Sequence, residues 1–229
     1  MKPFLTAYWR HVVAATYDVE EERVARYVPP GVELDGLHGV PQLSLVAFEF
    51  ERTRVHGVPV PGCVRFPEIN LRFYVRYRGE RGVVFIRELV PRRLVAFVAR
   101  ARYNEPYERT PMRCGVDGQL HVWHRFGPGL GSSLEAWTSG DEALPAEDSD
   151  DHWLTHHTLG VGRARNGGMR EYRVEHPVWA LRPVQRLDVD VDFERLYGRE
   201  WAFLNERHPG HVSYAAGSHV AVYPPGGGG

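Results

Sequence analysis

The sequence predicts a mainly β fold, an antiparallel barrel or sandwich with a few short helices. Three observations carry that expectation. Between Val64 and Tyr77 the residues alternate with a period of two: Ile69, Leu71, Phe73 and Val75 point one way, Glu68, Asn70, Arg72 and Tyr74 the other. Two turn signals, Arg78–Gly82 and Arg165-Asn166-Gly167-Gly168, each separate a pair of strand-like runs and read as hairpins. Many short strand segments and only two or three helical ones suit a β architecture in one domain, residues 1–223, followed by a Pro/Gly tail at 224–229.

Along the chain, Trp9–Thr16 reads as the opening strand. Asp18 is placed to cap a helix over Val19–Tyr27, with acidic residues in its first turn and Pro29-Pro30-Gly31 stopping it. Val40–Val55 is a long strand. Val64–Tyr77 and Val83–Leu89 form the first hairpin. Pro91–Tyr103 fits either a helix or a further strand. Strands are expected at Leu120–Arg125 and Ser133–Thr138, and a short helix through Trp153–His157. The second hairpin spans Thr158–Ala164 and Met169–Glu175. Leu187–Val191 alternates again, Glu194–Asn205 reads as helical, and Ser213–Tyr223 closes the fold.

Composition narrows the function classes. The 229 residues carry a net charge of −1, so no general field favours nucleic acid or an anionic membrane. No apolar run reaches the ~20 residues needed to span a bilayer, and Met1–Arg10 lacks the apolar stretch of a signal peptide, so a cytoplasmic protein is expected. Cys63 and Cys114 are too few for a disulfide framework or a zinc motif. Of 28 basic residues, 27 are arginine and the only lysine is Lys2. A buried catalytic lysine is thereby excluded.

Several polar groupings stand out in the sequence. His152, His156 and His157 lack the glutamate of a metalloprotease pattern, and His121 and His124 fall on opposite faces of a strand, so no metal site is expected. Asp188, Asp190 and Asp192 share one face of a strand, best read as solvated. GVGRARNGG and PGLGS are turn glycines rather than phosphate loops. Glu68, Asn70 and Arg72 face one way; spacing alone favours a solvent-facing strand, but in a closed barrel that face would line the interior and could hold a small polar ligand.

The stretches RFPEINLRFYV, LVAFVARARYNEPY, EHPVWALRP and YAAGSHVAVYP, in that order and spacing, resemble the bacterial YqjF-like family, a domain of unknown function in the acetoacetate decarboxylase-like superfamily. The resemblance runs from Trp9 to Pro224. It departs at LTHHTLG, where a glutamate is usual near His156. It implies an antiparallel β-barrel around a small cavity. It also implies that Arg10 and Glu68 occupy retained cavity positions, that another cavity glutamate falls on Ser44, and that the catalytic Tyr-Pro-Lys-Lys stretch falls on Glu105-Pro106-Tyr107-Glu108. A Schiff base needs a neutral lysine amine; the Tyr107 phenol exchanges hydrogen bonds but forms no imine.

Three readings follow. The first is a small-molecule binding barrel for an organic acid or carbonyl compound, using Arg10, Glu68, Asn70, Arg72 and Tyr107 without a cofactor. The second is a cofactor-independent lyase, isomerase or hydrolase with Glu68 and Tyr107 as acid and base. The third is a structural or interaction protein with a packed barrel. The resemblance leaves room for a homo-oligomer, because the decarboxylases form large assemblies.

Overall fold

The computed structural model describes residues 2–118, 120–164 and 166–224, with backbone only at 102 and 103. The expected tail at 224–229 lies outside the described residues apart from Pro224, and the expected second turn lies outside them at Arg165.

In chain order the first elements are β1 (Leu5–Asp18), α1 (Glu21–Ala25), β2 (Glu33–Leu34), β3 (Gly36–Leu37), β4 (Val40–Val55), β5 (Val58–Pro59) and β6 (Phe66–Tyr77). Next come β7 (Glu80–Val90), α2 (Arg93–Tyr103), β8 (Tyr107–Arg109), β9 (Met112–Asp117), β10 (His121–Phe126) and β11 (Ser132–Thr138). The chain finishes with α3 (Asp150–Thr155), β12 (Leu159–Arg163), β13 (Met169–Glu175), β14 (Val184–Asp190), α4 (Phe193–Tyr197) and β15 (His211–Val222).

Seven strands close a ring, in the order β6-β4-β1-β15-β13-β12-β7 and back to β6. Most neighbours are antiparallel. The exceptions are β12 beside β7 and the appended β8 beside β7, both parallel. A second sheet, β14-β11-β10-β9, is antiparallel throughout. The fold is mainly β, as the alternating patterns require.

The period of two decides what goes where. One face of β6 sends Ile69, Leu71, Phe73 and Val75 into a core shared with Leu43 and Leu45 of β4 and with Val122, Phe126 and Leu134 of the second sheet. The opposite face of β6 sends Glu68, Asn70 and Arg72 into the ring. The β6–β7 hairpin turns at Arg78 and Gly79, whose φ angles of 50° and 81° are the left-handed pair that suits the twist of its strands.

Elsewhere the structure settles or shifts the expected elements. Pro91–Tyr103 is the helix α2, ended by Asn104 in the left-handed region with φ 55°. Its Leu94, Val95, Val98 and Ala99 follow helical spacing and form one wall of the ring's interior. The predicted helix over Val19–Tyr27 shortens to α1, because Asp18 ends β1 and accepts a hydrogen bond from the Gln42 amide instead of capping. Glu194–Asn205 divides at Gly198, with φ 116°, into α4 and a 3-10 segment over Arg199–Glu206. Ser149 caps α3 by accepting from the His152 amide. Strands β8 and β9 have no counterpart in the sequence reading. Among the described residues no helix is long and apolar enough to cross a membrane.

Candidate functional site

Inside the ring lies a cavity of about 230 Å³, smaller than the usual ~300–1,000 Å³ of drug-sized pockets. Its walls are largely aromatic and aliphatic: Trp9 from β1, Phe48 and Phe50 from β4, Phe66 from β6, Phe85 from β7, and the apolar face of α2. Set into these walls are Glu68, Asn70, Arg72, Glu88, Glu105, Tyr107 and Tyr172.

The strand register explains how these polar groups meet. Asn70 lies directly opposite Glu88 across the β6–β7 ladder. Glu88 in turn pairs with Tyr107 across the parallel β7–β8 contact. That places the Tyr107 hydroxyl to donate to Glu68 Oε2 at 3.0 Å. Glu68, Asn70, Glu88 and Glu105 are each no more than 5 % exposed. Tyr172 comes from β13, directly opposite Gly160.

Burial dominates the electrostatics. Desolvation pushes the Glu68 carboxyl up to about 7, against hydrogen bonds from Tyr107 and Asn70 and the charge of Arg72. Desolvation lifts Glu105 to about 8, opposed by Tyr172 and Arg170. Glu88 stands well above the usual carboxylate range, first from burial and then from the neighbouring Glu68 and Glu105. The phenols of Tyr107 and Tyr172 are raised by burial and by the adjacent carboxylates. Near neutral pH the cluster therefore holds exchangeable protons, with Glu68 balanced between its two states.

Four polar atoms of this cluster are buried without a hydrogen-bond partner: Asn70 Oδ1, Arg72 Nε, Glu88 Oε2 and Glu105 Oε1. Buried polar atoms are nearly always paired, so these four need partners from water or from a bound molecule.

Of the residues singled out in the sequence, Glu68, Asn70, Arg72 and Tyr107 meet in this cavity. Arg10 does not line it. Trp9 takes the inward position on β1, so its neighbour turns to the other face, where the Arg10 guanidinium is 42 % exposed and 3.8 Å from Glu51. Ser44 sits outside the lining, in a buried chain of 2.7 Å hydrogen bonds with Thr16 and Tyr74. Glu108 is half-exposed and pairs with Arg87 at 3.2 Å.

The sequence reading missed Glu88, Glu105 and Tyr172. On β7 a register shift opposite Leu71/Arg72 breaks the alternation, so Phe85 and Glu88 both face inward although they are three apart. A signal for Tyr172 was present in the glycines of GVGR. A Cβ at Gly160 would lie 2.3 Å from the Tyr172 ring, and one at Gly162 would lie 3.3 Å from Glu105 Oε1. These glycines make room for cavity side chains.

The histidines lie apart from the cavity. His121 accompanies Glu135 at 3.0 Å on the outer face of the second sheet, while His124 is buried on the inner face and held neutral down to about 4 by desolvation. His157 packs its ring against Tyr74 at 4.7 Å. Asp188 pairs with Arg186, and Asp192 caps α4. Among the described residues no three His, Cys, Asp or Glu side chains are grouped to hold a metal ion.

Comparison with known proteins agrees with this architecture. The profile of the DUF2071 family, described as an uncharacterized conserved protein, matches residues 6–219. Uncharacterized protein YqjF of Bacillus subtilis (strain 168) is 29 % identical over 220 residues, covering 94 % of this chain and 89 % of its own. Among solved structures, acetoacetate decarboxylase from Legionella pneumophila superposes with a TM-score of 0.63 at 12 % identity, over 97 % of this chain and 85 % of that one. An acetoacetate decarboxylase-like enzyme from Sphingomonas wittichii RW1 gives 0.64 at 10 % identity, over 98 % and 94 %. The enduracididine biosynthesis enzyme MppR, solved with pyruvate, gives 0.60 at 14 % identity, over 98 % and 88 %. At these identities the structural likeness establishes the acetoacetate decarboxylase-like fold alone.

Proposed function

This chain belongs to the DUF2071 family of uncharacterized conserved proteins, and we propose that it binds a small carbonyl-bearing molecule inside the strand ring. The observation that carries this reading is the set of orphaned polar atoms on Asn70, Arg72, Glu88 and Glu105 around one apolar-walled cavity. Apolar walls with a few converging polar groups are the usual form of a small-molecule site. An open interior of about 230 Å³ also sets the ring apart from a packed structural barrel. Arg72 could grip the carboxylate of an organic acid, but three carboxyl groups surround it, so the site favours a carbonyl compound over a free acid.

Lysine chemistry is absent from this reading, because Lys2 is the only lysine and is exposed near the N-terminus. A specific observation does favour proton transfer. Glu68, raised to about 7 and hydrogen-bonded by Tyr107, is poised as a general base near neutral pH. Abstraction of a proton next to a bound carbonyl by Glu68, with Arg72 as hydrogen-bond donor to the carbonyl oxygen, needs no covalent intermediate.

The test is a thermal-shift screen of small ketones, esters and oxo acids on the wild type and on Val98→Trp, which adds bulk to the cavity from the α2 wall. Stabilisation by about 2.7 kcal/mol is expected at a ligand concentration ~100 times Kd. The shift should vanish in Val98→Trp. Equal shifts in both proteins, or none with any compound, would refute the reading. Deuterium uptake next to the carbonyl of a bound compound, lost in Glu68→Gln, would identify the proton-transfer step.

A further inference from the structure

We infer that the carbonyl-bearing occupant of the ring cavity also carries a single positive charge, as an organic ammonium or amidinium group on a compact apolar body. This rests on the cavity being a ligand site and specifies what that site selects.

The first ground is the imbalance of charged side chains. Glu68, Glu88 and Glu105 line the cavity. Against these three carboxyls stand two guanidinium groups, Arg72 in the lining and Arg170, which acts on Glu105 from the same strand as Tyr172. With all three carboxyls ionised, the set is one positive charge short of balance. The second ground is hydrogen bonding: two side chains, each only 2 % exposed, leave oxygens unpaired, Asn70 Oδ1 and Glu88 Oε2, beside the unpaired donors Arg72 Nε and Trp9 Nε1. The Asn70 amide already donates towards Glu68, which leaves its carbonyl oxygen for a donor from the occupant. An ammonium or amidinium group supplies several N–H donors and the missing charge together.

The surroundings fit an organic cation rather than a metal ion. No trio of metal-ligating side chains is grouped among the described residues. The walls beside the carboxyls are the rings of Trp9, Phe48, Phe50 and Phe85, which favour an apolar body and attract a cation over their faces. Leu94 lines the cavity and is 49 % exposed, so the interior meets solvent beside α2.

In the empty cavity protons on the carboxyls more than cancel that deficit, since burial holds Glu105 to about 8 and raises Glu88 well above the usual carboxylate range. A bound monocation takes the place of one of those protons. Affinity for a cation must then rise with pH between 6 and 8, by up to about tenfold per unit for one proton released. A carboxylate ligand would show the opposite slope.

The experiment uses three probes of matched shape: 2-phenylethylamine, 2-phenylethanol and 3-phenylpropanoate. Binding to the full chain is measured by calorimetry at pH 6, 7 and 8, in two buffers of different ionisation enthalpy. The expected result is that the amine binds at least tenfold tighter than the alcohol at pH 8, with proton release and with affinity rising with pH. Glu88→Gln should remove that preference; Glu105→Gln serves as a second variant where the first fails to fold. Equal or tighter binding of the alcohol or the carboxylate would overturn the inference while leaving the cavity as a ligand site. Absence of binding by all three would overturn the inference, and the screen of carbonyl compounds described above then decides whether the cavity is a ligand site.

Discussion

The Tyr107 hydroxyl donates to Glu68 Oε2 at 3.0 Å, joining a short parallel strand to the central hairpin across 39 residues of chain. This contact organises the cavity, because it ties β8, which holds only three residues, to the charged face of β6. Its strength is open to measurement. In a double-mutant cycle with Tyr107→Phe and Glu68→Leu, urea denaturation should give a coupling of about 1–3 kcal/mol, the range for hydrogen bonds to a charged partner. Additive effects would show that the two side chains do not interact.

Stability should depend on pH in a direction set by the buried carboxyls. Glu68 and Glu105 keep their protons to about 7 and about 8 in the native state, but release them near 4.5 when unfolded. Their contribution is complete below 4.5, falls as pH rises, and levels off above the native values. His124 acts oppositely: neutral in the fold down to about 4, it loses stability only as pH falls below 6.5. His11, His156, His157 and His176, lowered likewise by burial, act as His124 does, and their effect fades above pH 7, so between pH 7 and 8 the carboxyls dominate. Unfolding free energy should drop across that interval, on the order of 1–3 kcal/mol. Glu105→Gln should flatten the curve. A rise in stability over the same interval would contradict these assignments.

Two glycines of β12 offer a packing test. A Cβ at Gly160 meets the Tyr172 ring at 2.3–2.7 Å, whereas a Cβ at Gly162 meets only the end of the Glu105 side chain at 3.3 Å. Gly160→Ala should cost about 1–3 kcal/mol through overpacking of a rigid ring, and Gly162→Ala clearly less. Chemical denaturation of both variants checks the order. Equal costs would mean that Tyr172 does not rest on Gly160.

The lysine argument can also be checked by trapping. Borohydride reduction in the presence of acetoacetate, followed by proteolysis and mass spectrometry, should yield no adduct beyond residue 2. Any internal adduct would contradict a non-covalent site.

The parts of this fold legible in the sequence were those governed by strict periodicity. The alternation of Glu68, Asn70 and Arg72 with Ile69, Leu71 and Phe73 identified both faces of β6, and ring closure decided which face enclosed the cavity. Placement failed where a local irregularity or a long-range contact intervened. Glu88 is inward because the β6–β7 register shifts. Glu105 follows a helix, outside any periodic run, and faces the cavity because Asn104 ties the helix end to the Arg163 carbonyl of β12 at 2.6 Å. Arg10 went astray for the simplest reason: the inward position belongs to Trp9. Tyr107 was reached through the family resemblance, its strand being too short to carry a pattern of its own.

The central claim is that three glutamates share one buried, ligand-ready cavity. The most direct measurement is the titration of the glutamate side-chain carboxyls by carbon-13 NMR, with Glu68→Gln, Glu88→Gln and Glu105→Gln used for assignment. Glu68 should titrate near 7, Glu105 near 8 and Glu88 well above the ordinary carboxylate range. If every glutamate titrates in the ordinary range near 4.5, the carboxyls are not buried together and the account fails.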